Sequence, residues 1–181
     1  MKRGGPRYSC LTEFRVEPRM EQEADCFSAG LLMPSYLLSP HVNEESNPTL
    51  RHIQDAARLF RVSMTSMMVR WVRLSDFPCG VFSVAQGGIQ WGWVSDGFAR
   101  IKAYWRCQGP LRSSDSKAFL QAAPGLARYR DSQGLGLLHH WVDTDHRDVS
   151  VREFYAVIPY ASHMLVFISA SEDELPRRWD D

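Results

Sequence analysis

The sequence lacks an excess of charge of either sign, because its 181 residues hold 21 lysines and arginines against 21 aspartates and glutamates. A protein dedicated to binding nucleic acid usually carries a marked positive excess, so the balance argues against that class, although a local basic patch stays open. The chain also lacks an apolar run of about 18 residues that could span a membrane, and its basic start lacks the apolar stretch of a secretory signal. We therefore expect a cytoplasmic protein with no membrane partner.

Closely spaced cysteine pairs are also missing. The four cysteines, Cys10, Cys26, Cys79 and Cys107, lie far apart in the sequence and form no CxxC motif. Zinc ribbons contain such pairs and secreted disulfide scaffolds are dense in cysteine, so neither class fits. We expect four reduced thiols, with Cys79 and Cys107 in structural roles because no activating base stands at a fixed spacing from them.

The first part of the chain changes from an irregular start to a helix. Residues 1–19 are polar, and their prolines discourage a long helix there. From Met20 onward the apolar residues recur at helical spacing, and Pro34 is expected to end that helix. The polar stretch 41–48 then has the composition of a linker.

Two short helices are predicted in the middle of the chain. Thr49 and Ser63 are favourable N-cap residues, and the connection at 61–62 is short enough for a helix-turn-helix shape. The second helix is expected to end near Leu74. Its apolar side chains favour packing inside the protein, because a helix that reads a DNA groove normally presents polar residues. These apolar side chains are Met64, Met67, Met68, Trp71 and Val72.

Strand patterns dominate the last part of the chain. Short apolar or alternating runs predict strands, and the glycines at 87 and 88 favour a hairpin between the first two. A helix and its approach are expected at 113–129. The whole pattern predicts an α+β fold in which a small sheet carries at least one helix. The predicted strands cover 81–84, 89–93, 137–142, 154–159 and 164–169.

The most specific pattern lies in the first predicted helix. Residues 21–34 have the sequence EQEADCFSAGLLMP, which resembles the signature of the ImmA/IrrE family of zinc metallopeptidases, roughly ExEANxFAAxLLMP. Asp25 stands where the family usually has Asn, and Ser28 stands where it usually has Ala. The matching positions are Glu21, Glu23, Ala24, Phe27, Ala29, Leu31, Leu32, Met33 and Pro34.

The resemblance continues downstream and implies a division into three segments. Residues 57–63, followed by Met67 and Arg70, are similar to the helix-turn-helix-like segment of the family, and the last part loosely resembles its GAF-like sensor region. The implied segments are a remnant of the zincin-like helical peptidase domain at 1–47, a helix-turn-helix-like helical pair at 48–77 and a GAF-like α/β domain at 78–181.

The resemblance also implies a zinc site. In the family, two histidines of an HExxH helix and a glutamate from the next helix hold the metal. Glu21 corresponds to that glutamate, with Glu23 as the runner-up, and a carboxylate near a helix start also suits the helix dipole. The 181 residues contain no HExxH motif, and no histidine precedes Glu21. Since catalytic zinc usually needs three protein ligands, we expect this chain alone neither to bind zinc nor to cleave peptides.

The role implied by resemblance is the control of transcription. Intact relatives cleave helix-turn-helix transcriptional repressors and so relieve repression of stress or mobile-element genes. For the missing zinc helix we favour a truncated or degenerate gene product over a shortened protein that keeps only regulatory parts. One alternative is a non-catalytic module that binds a repressor or a signal ligand. Another is a small DNA-binding regulator that contacts DNA or a partner through Arg61, Arg70 and Arg73.

The other histidines favour structural interpretations. His139 and His140 fall in a predicted strand, where neighbouring side chains point to opposite faces and do not share a metal ion. His146 lies among acidic residues that are more typical of a solvated turn than of a metal site. Those acidic residues are Asp143, Asp145 and Asp148.

The tryptophans leave two interpretations open. Trp91 and Trp93 share one face of a predicted strand, as expected for side chains in a sheet core. The alternative is a small-molecule pocket lined by these two residues and Trp105 in the sensor-like segment.

Overall fold

The computed structural model describes residues 18–44, 46–85, 88–105, 109–122, 130–157, 163–171, 173 and 175. Within these ranges the chain forms six α-helices and one turn of 3-10 helix at Leu138–His140. The helices are α1 (Pro18–Leu32), α2 (Ser35–Asn43), α3 (Leu50–Phe60), α4 (Met64–Leu74), α5 (Asp96–Ala99) and α6 (Ser114–Ala122). None of the helices in these ranges is long and apolar enough to cross a bilayer.

The described residues also form eight strands. They are β1 (Cys79–Ala85), β2 (Gly88–Val94), β3 (Tyr104–Trp105), β4 (Gly109–Pro110), β5 (Arg130–Leu137), β6 (Val142–Asp143), β7 (Ser150–Val157) and β8 (Met164–Ser169). Six of them make one sheet in the order β4-β2-β1-β8-β7-β5, and every neighbouring pair is antiparallel. Strands β3 and β6 pair separately. Separate helices around an antiparallel sheet confirm the predicted α+β class.

The larger sheet is buried on both faces. Successive side chains of a strand point to opposite sides, so Val81 of β1 belongs to the core shared with α3 and α4, whereas Phe82 belongs to the core on the other face. Phe154 and Tyr155 of β7 divide in the same way. Strands buried on both sides need apolar residues at nearly every position, which explains the nearly continuous apolar run of β8.

The helices α3 and α4 begin and end at the residues that the sequence indicates. The backbone N–H of Thr49 donates to Nδ1 of His52 at 3.2 Å, and Oγ of Ser63 accepts from the N–H of Ser66 at 3.1 Å. Arg61 ends α3 in the left-handed region at φ 54°. The buried side of α4 consists of Met67, Met68, Trp71 and Val72, as predicted for a helix packed inside the protein.

Polar contacts join the helices to one another and to the sheet. Nε of Arg70 donates to the carbonyl oxygen of Met33 at 3.2 Å, which joins α4 to the end of the signature helix α1. Nδ2 of Asn43 donates to the carbonyl oxygen of Leu74 at 3.3 Å. The guanidinium of Arg152 on β7 donates to Oδ1 of Asn47 at 2.6 Å, so the segment between α2 and α3 is held at the sheet.

The linker predicted at 41–48 is partly wrong. Helix α2 extends through Asn43, although Pro40 lies inside it. Leu38 and Val42 are one helical turn apart and both are fully buried, so tertiary packing outweighs the local effect of the proline. A composition rule that counts prolines and polar residues misses this pair.

The strand predicted at 137–142 is also wrong over most of its length. Strand β5 ends at Leu137, and the chain turns through the 3-10 helix Leu138–His140 before the short strand β6. The turn buries Leu138 and Trp141, three residues apart, on the same side. Three-residue spacing matches the 3-10 period, whereas a strand would have placed these two side chains on opposite faces. Gly87 of the predicted hairpin and the end of the helix predicted at 113–129 lie outside the described residues.

Candidate functional site

The signature helix α1 carries exposed acidic side chains at Glu23 and Asp25. Glu21 lies in α1, but its side chain is outside the described part of the chain. The side chains of Glu23, Ala24 and Asp25 are exposed. Helix α1 therefore presents the carboxylates of Glu23 and Asp25 on the outer surface of the described chain.

The apolar residues of the signature divide between the core and the surface. Met33 is buried in the core, and Pro34 immediately precedes α2. By contrast, Phe27 is 71% exposed and Leu31 is 68% exposed. We call the exposed apolar residues of α1 and α2 the signature face; they are Phe27, Leu31, Leu32, Tyr36 and Leu37. Large exposed apolar side chains are typical of a surface that binds another protein segment.

The described side chains do not fit a zinc ion held by three protein ligands. In the part of the chain that the structure covers, no three histidine, cysteine, aspartate or glutamate side chains come together as a ligand set. This includes His146 and the aspartates around it, whose carboxylates at 143, 145 and 148 are exposed. Among the described residues, therefore, no ligand set of this kind forms beside helix α1.

The three arginines that the sequence suggests for DNA or partner contacts have different surroundings. Arg61 is exposed at the end of α3. Arg70 donates to the backbone of Met33, and the guanidinium of Arg73 lies 4.2 Å from the ring centroid of Trp93. A guanidinium that stacks on an indole or binds a carbonyl within its own chain stabilises the fold, so Arg70 and Arg73 have structural contacts.

A second cluster lies on the opposite face of the sheet, around the fully buried side chain of Glu153. Its Oε2 accepts hydrogen bonds from the hydroxyls of Ser113 at 2.6 Å, Ser116 at 2.9 Å and Tyr155 at 2.7 Å. Its Oε1 accepts from the indole Nε1 of Trp141 at 2.7 Å. Four donors directed at one carboxyl group suit an ionised carboxylate, because its oxygens only accept hydrogen bonds. The four donors also replace the hydrogen bonds to water that burial removes.

The register of two strands makes room for this carboxyl group. Glu153 and Tyr155 point to the same face of β7, beside β5. A Cβ atom added at Gly136 of β5 would overlap Oε1 of Glu153, so only glycine leaves the space that the carboxyl group occupies. Burial, the hydrogen bond to Glu153 and the negative charge of Glu153 all raise the pKa of Tyr155 well above its usual range. The phenol therefore stays a neutral donor.

A cleft opens beside this cluster where the 3-10 turn meets the β2–β4 edge. Its volume is about 150 Å³. The rings of His139 and His140 are 4.5 Å apart in an edge-on arrangement, so the prediction that they lie on opposite faces of a strand is wrong. The residues that define the cleft are Trp105, Pro110, Arg112, His139, His140 and Trp141.

The two histidines of the cleft differ in their hydrogen bonds. Nδ1 of His139 lies 3.0 Å from the carbonyl oxygen of Arg147, which only accepts, so this nitrogen carries the proton. Nδ1 of His140 is buried and has no hydrogen-bond partner among the described residues. Burial, followed by the charge of His139, lowers the pKa of His140, while Glu153 opposes the shift. His140 is accordingly neutral at pH 7.

Sequence reasoning misses most of this second cluster. A signal for Glu153 is present, since it is the one acidic residue in the otherwise mostly apolar run Ser150–Val157.

The tryptophans and cysteines that the sequence singles out have different surroundings. Trp91 and Trp93 pack against the core next to the helices, which agrees with core packing, whereas Trp105 lines the cleft. Cys79 is fully buried, and burial raises its pKa to about 11, which fits a structural thiol. Cys107 is outside the described residues.

Comparison of the chain with protein-family models gives no match, and comparison with curated proteins gives no relative. The function is therefore argued from the residues and their geometry.

Proposed function

We propose that this chain is a metallopeptidase-like protein of the ImmA/IrrE type, whose intact relatives cleave helix-turn-helix transcriptional repressors. The proposal includes the remnant of the zincin-like domain in α1 and α2, the helix-turn-helix-like pair α3–α4 and a GAF-like role for the sheet. By this proposal Glu21 is the one zinc ligand that the chain supplies. The chain does not cleave peptides unless an HExxH helix completes the site.

The observation that carries the proposal is the exposed signature face on a helix with the family's sequence. In an intact relative, the HExxH helix precedes the signature helix and must stand beside it, because both supply ligands to one metal ion. Phe27 and Leu31 are the apolar residues that such a neighbour would bury. Their exposure of 71% and 68% here is what a signature helix without its zinc helix would show.

The rival interpretation as a DNA-binding regulator has less support. Helix α4, the second of the pair, directs Met67, Met68, Trp71 and Val72 into the core. Arg70 and Arg73, which a recognition helix would use for phosphates or bases, contact Met33 and Trp93 instead. A helix that reads a groove needs a polar, accessible surface.

Zinc content tests the catalytic half of the proposal. The purified full-length chain should contain far less than one equivalent of zinc by mass spectrometry of metals, and it should leave a helix-turn-helix repressor intact. Tightly held stoichiometric zinc together with repressor hydrolysis would show that the chain builds a complete site by itself, and the proposal would be wrong.

Reconstitution tests the other half. We would mix the full-length chain with an HExxH-bearing helical segment from an intact family member and measure zinc uptake by the mixture. The expected result is zinc binding that depends on both components and falls with Glu21→Gln, while Glu44→Gln, which changes an exposed carboxylate at the end of α2, leaves it unchanged. Equal uptake by Glu21→Gln and wild type would remove Glu21 as a ligand.

A further inference from the structure

The cleft beside the 3-10 turn has features of a binding site that the peptidase relationship does not explain. It lies on the face of the sheet opposite the helices α3 and α4, among residues of the second core. Its volume of about 150 Å³ is close to that of an engineered cavity that binds benzene. An occupant of this cleft is therefore about the size of one six-membered ring with a small substituent.

The walls of the cleft are flat and held in place. The indole of Trp141 is fixed by its 2.7 Å hydrogen bond to Glu153 and by the ring of Phe82, whose centroid is 5.1 Å away. The centroid of the same phenylalanine ring lies 5.7 Å from that of Trp105, another aromatic residue that lines the cleft. Aromatic walls that do not need to be ordered on binding favour a planar apolar ligand, because little conformational entropy is lost.

The charge of the cleft is positive. Arg112 contributes a permanent positive charge, and none of the described residues that line the cleft is acidic. Leu111 and Ser113 on either side of Arg112 are buried, so the backbone that carries the guanidinium is held in place. The carboxylate of Glu153 lies behind Trp141 and is occupied by its four donors, which reduces its ability to pair with Arg112. A guanidinium binds a carboxylate through two parallel hydrogen bonds.

Two buried side-chain nitrogens, Nδ1 of His140 and Nε1 of Trp71, have no hydrogen-bond partner among the described residues. Buried polar atoms in proteins nearly always have a hydrogen-bond partner, which can be a ligand or ordered water. His140 lines the cleft, but its Nδ1 is buried and does not face it, so the proposal does not use this atom. A metal ion fits the site less well, because His139 and His140 are joined by no third ligand in the described chain.

From this combination of size, flat walls and charge we propose that the cleft binds a small aromatic carboxylate, with Arg112 as the residue that recognises the carboxylate group. The indoles of Trp105 and Trp141 contact the faces or edges of the ring. This assignment does not depend on the proposed peptidase role, since it uses residues remote from α1 and makes no use of zinc.

The test is a titration of the full-length chain with sodium benzoate at constant ionic strength, followed by calorimetry and by tryptophan fluorescence. A dissociation constant of about 1 mM or tighter is expected for a ligand of this size. Benzyl alcohol, which keeps the ring without the charge, and acetate, which keeps the charge without the ring, should each bind at least about tenfold more weakly.

Two variants locate the site. Arg112→Gln should weaken benzoate binding by about tenfold or more, because a charge-assisted bidentate contact is lost. Arg51→Gln removes an exposed arginine on α3 and should bind benzoate like wild type. Both side chains are exposed, so both variants should fold like wild type. Their melting temperatures check this.

Three results would overturn the proposal. They are the absence of saturable benzoate binding, equal binding of benzyl alcohol and benzoate, and equal benzoate binding by wild type and Arg112→Gln. Displacement of benzoate by one equivalent of zinc would assign the histidine pair to a metal instead. None of these results bears on zinc uptake through Glu21, so the two proposals fail separately.

Discussion

The indole Nε1 of Trp141 donates a 2.7 Å hydrogen bond to Oε1 of Glu153, and both side chains are buried, with exposures of 2% and 0%. This bond joins the residue after the 3-10 turn beside the cleft to strand β7, which lies between β8 and β5. A buried carboxylate is costly unless its oxygens are satisfied, and Glu153 has four donors from three different parts of the chain. Glu153 therefore fixes the position of Trp141 as well as stabilising the fold.

Glu153→Gln should destabilise the protein and loosen the cleft. The substituted amide keeps the shape but turns one acceptor into a donor that faces the hydroxyl and indole donors now around Glu153. Leaving buried donors without an acceptor costs about 1–3 kcal/mol of unfolding free energy per group. Denaturant unfolding measures the loss, and the emission of Trp141 should change with it.

The matched control for that substitution is Glu44→Gln, which changes an exposed carboxylate at the end of α2. Surface substitutions usually stay within about 0.5 kcal/mol of wild type. Equal unfolding free energies for the two variants would show that the four hydrogen bonds of Glu153 do not act as described.

Two glycines should respond to alanine in opposite directions. At Gly136 the added methyl group would overlap the carboxyl group of Glu153, so Gly136→Ala should destabilise by several kcal/mol, roughly the cost of overpacking plus a displaced buried hydrogen bond. At Gly30 within α1 no atom lies within 4 Å of the added group, and Gly30→Ala should stabilise by about 0.5–1 kcal/mol through helix propensity. Thermal unfolding of both variants checks the pair, and a Gly136→Ala variant as stable as wild type would contradict the close approach.

Local signals in the sequence are sufficient for α3, α4 and β8 and not for the second cluster. The caps at Thr49 and Ser63 and the apolar run of β8 are properties of neighbouring residues, and the structure confirms the helices and strand they predict. The Glu153 cluster joins residues up to 40 positions apart, and nothing in the spacing of Ser113 and Glu153 indicates that they meet. Long-range polar contacts depend on sheet register, which a single sequence does not specify.

In the signature helix α1, by contrast, the local sequence predicts the helix but not which of its side chains are buried. Its sequence gives the helix end correctly, because α1 ends two residues before Pro34. The burial of Met33 does not follow from the apolar period, which runs through Met20, Ala24, Phe27 and Leu31. The same period predicts a buried stripe through Phe27 and Leu31, which are exposed. Periodicity shows that a face is apolar, and it does not show which segment covers that face.

The pKa of Cys79 predicts an alkaline loss of stability. Burial raises this pKa from 9.0 to about 11, so the folded state holds the thiol proton more tightly than the unfolded state. The stabilisation is complete below pH 9 and is lost as the pH rises toward 11. Tyr155, whose pKa is also raised, acts in the same direction at higher pH. Denaturant unfolding between pH 8 and pH 11 should show a shallower decline for Cys79→Ala than for wild type.

The two described cysteines should differ in their rate of thiol labelling. Cys26 is exposed on α1, whereas Cys79 is buried with a raised pKa, and the thiolate is the reactive form. At pH 8, iodoacetamide should modify Cys26 within minutes and leave Cys79 unmodified until the protein unfolds. Peptide mass spectrometry assigns the sites, and rapid modification of Cys79 in the folded protein would contradict its burial.

The signature face should behave as a binding surface and not as part of the folded core. Phe27 and Leu31 are mostly exposed, so the double substitution to serine should change the unfolding free energy by less than about 1 kcal/mol. Met68→Ala, at a fully buried position of α4, should cost about 2–5 kcal/mol in the same assay. If the face binds the HExxH-bearing segment, the serine variant should lose that binding while remaining as stable as wild type. A serine variant that unfolds like Met68→Ala would place Phe27 and Leu31 in a core, and the argument for a missing neighbour on α1 would fail.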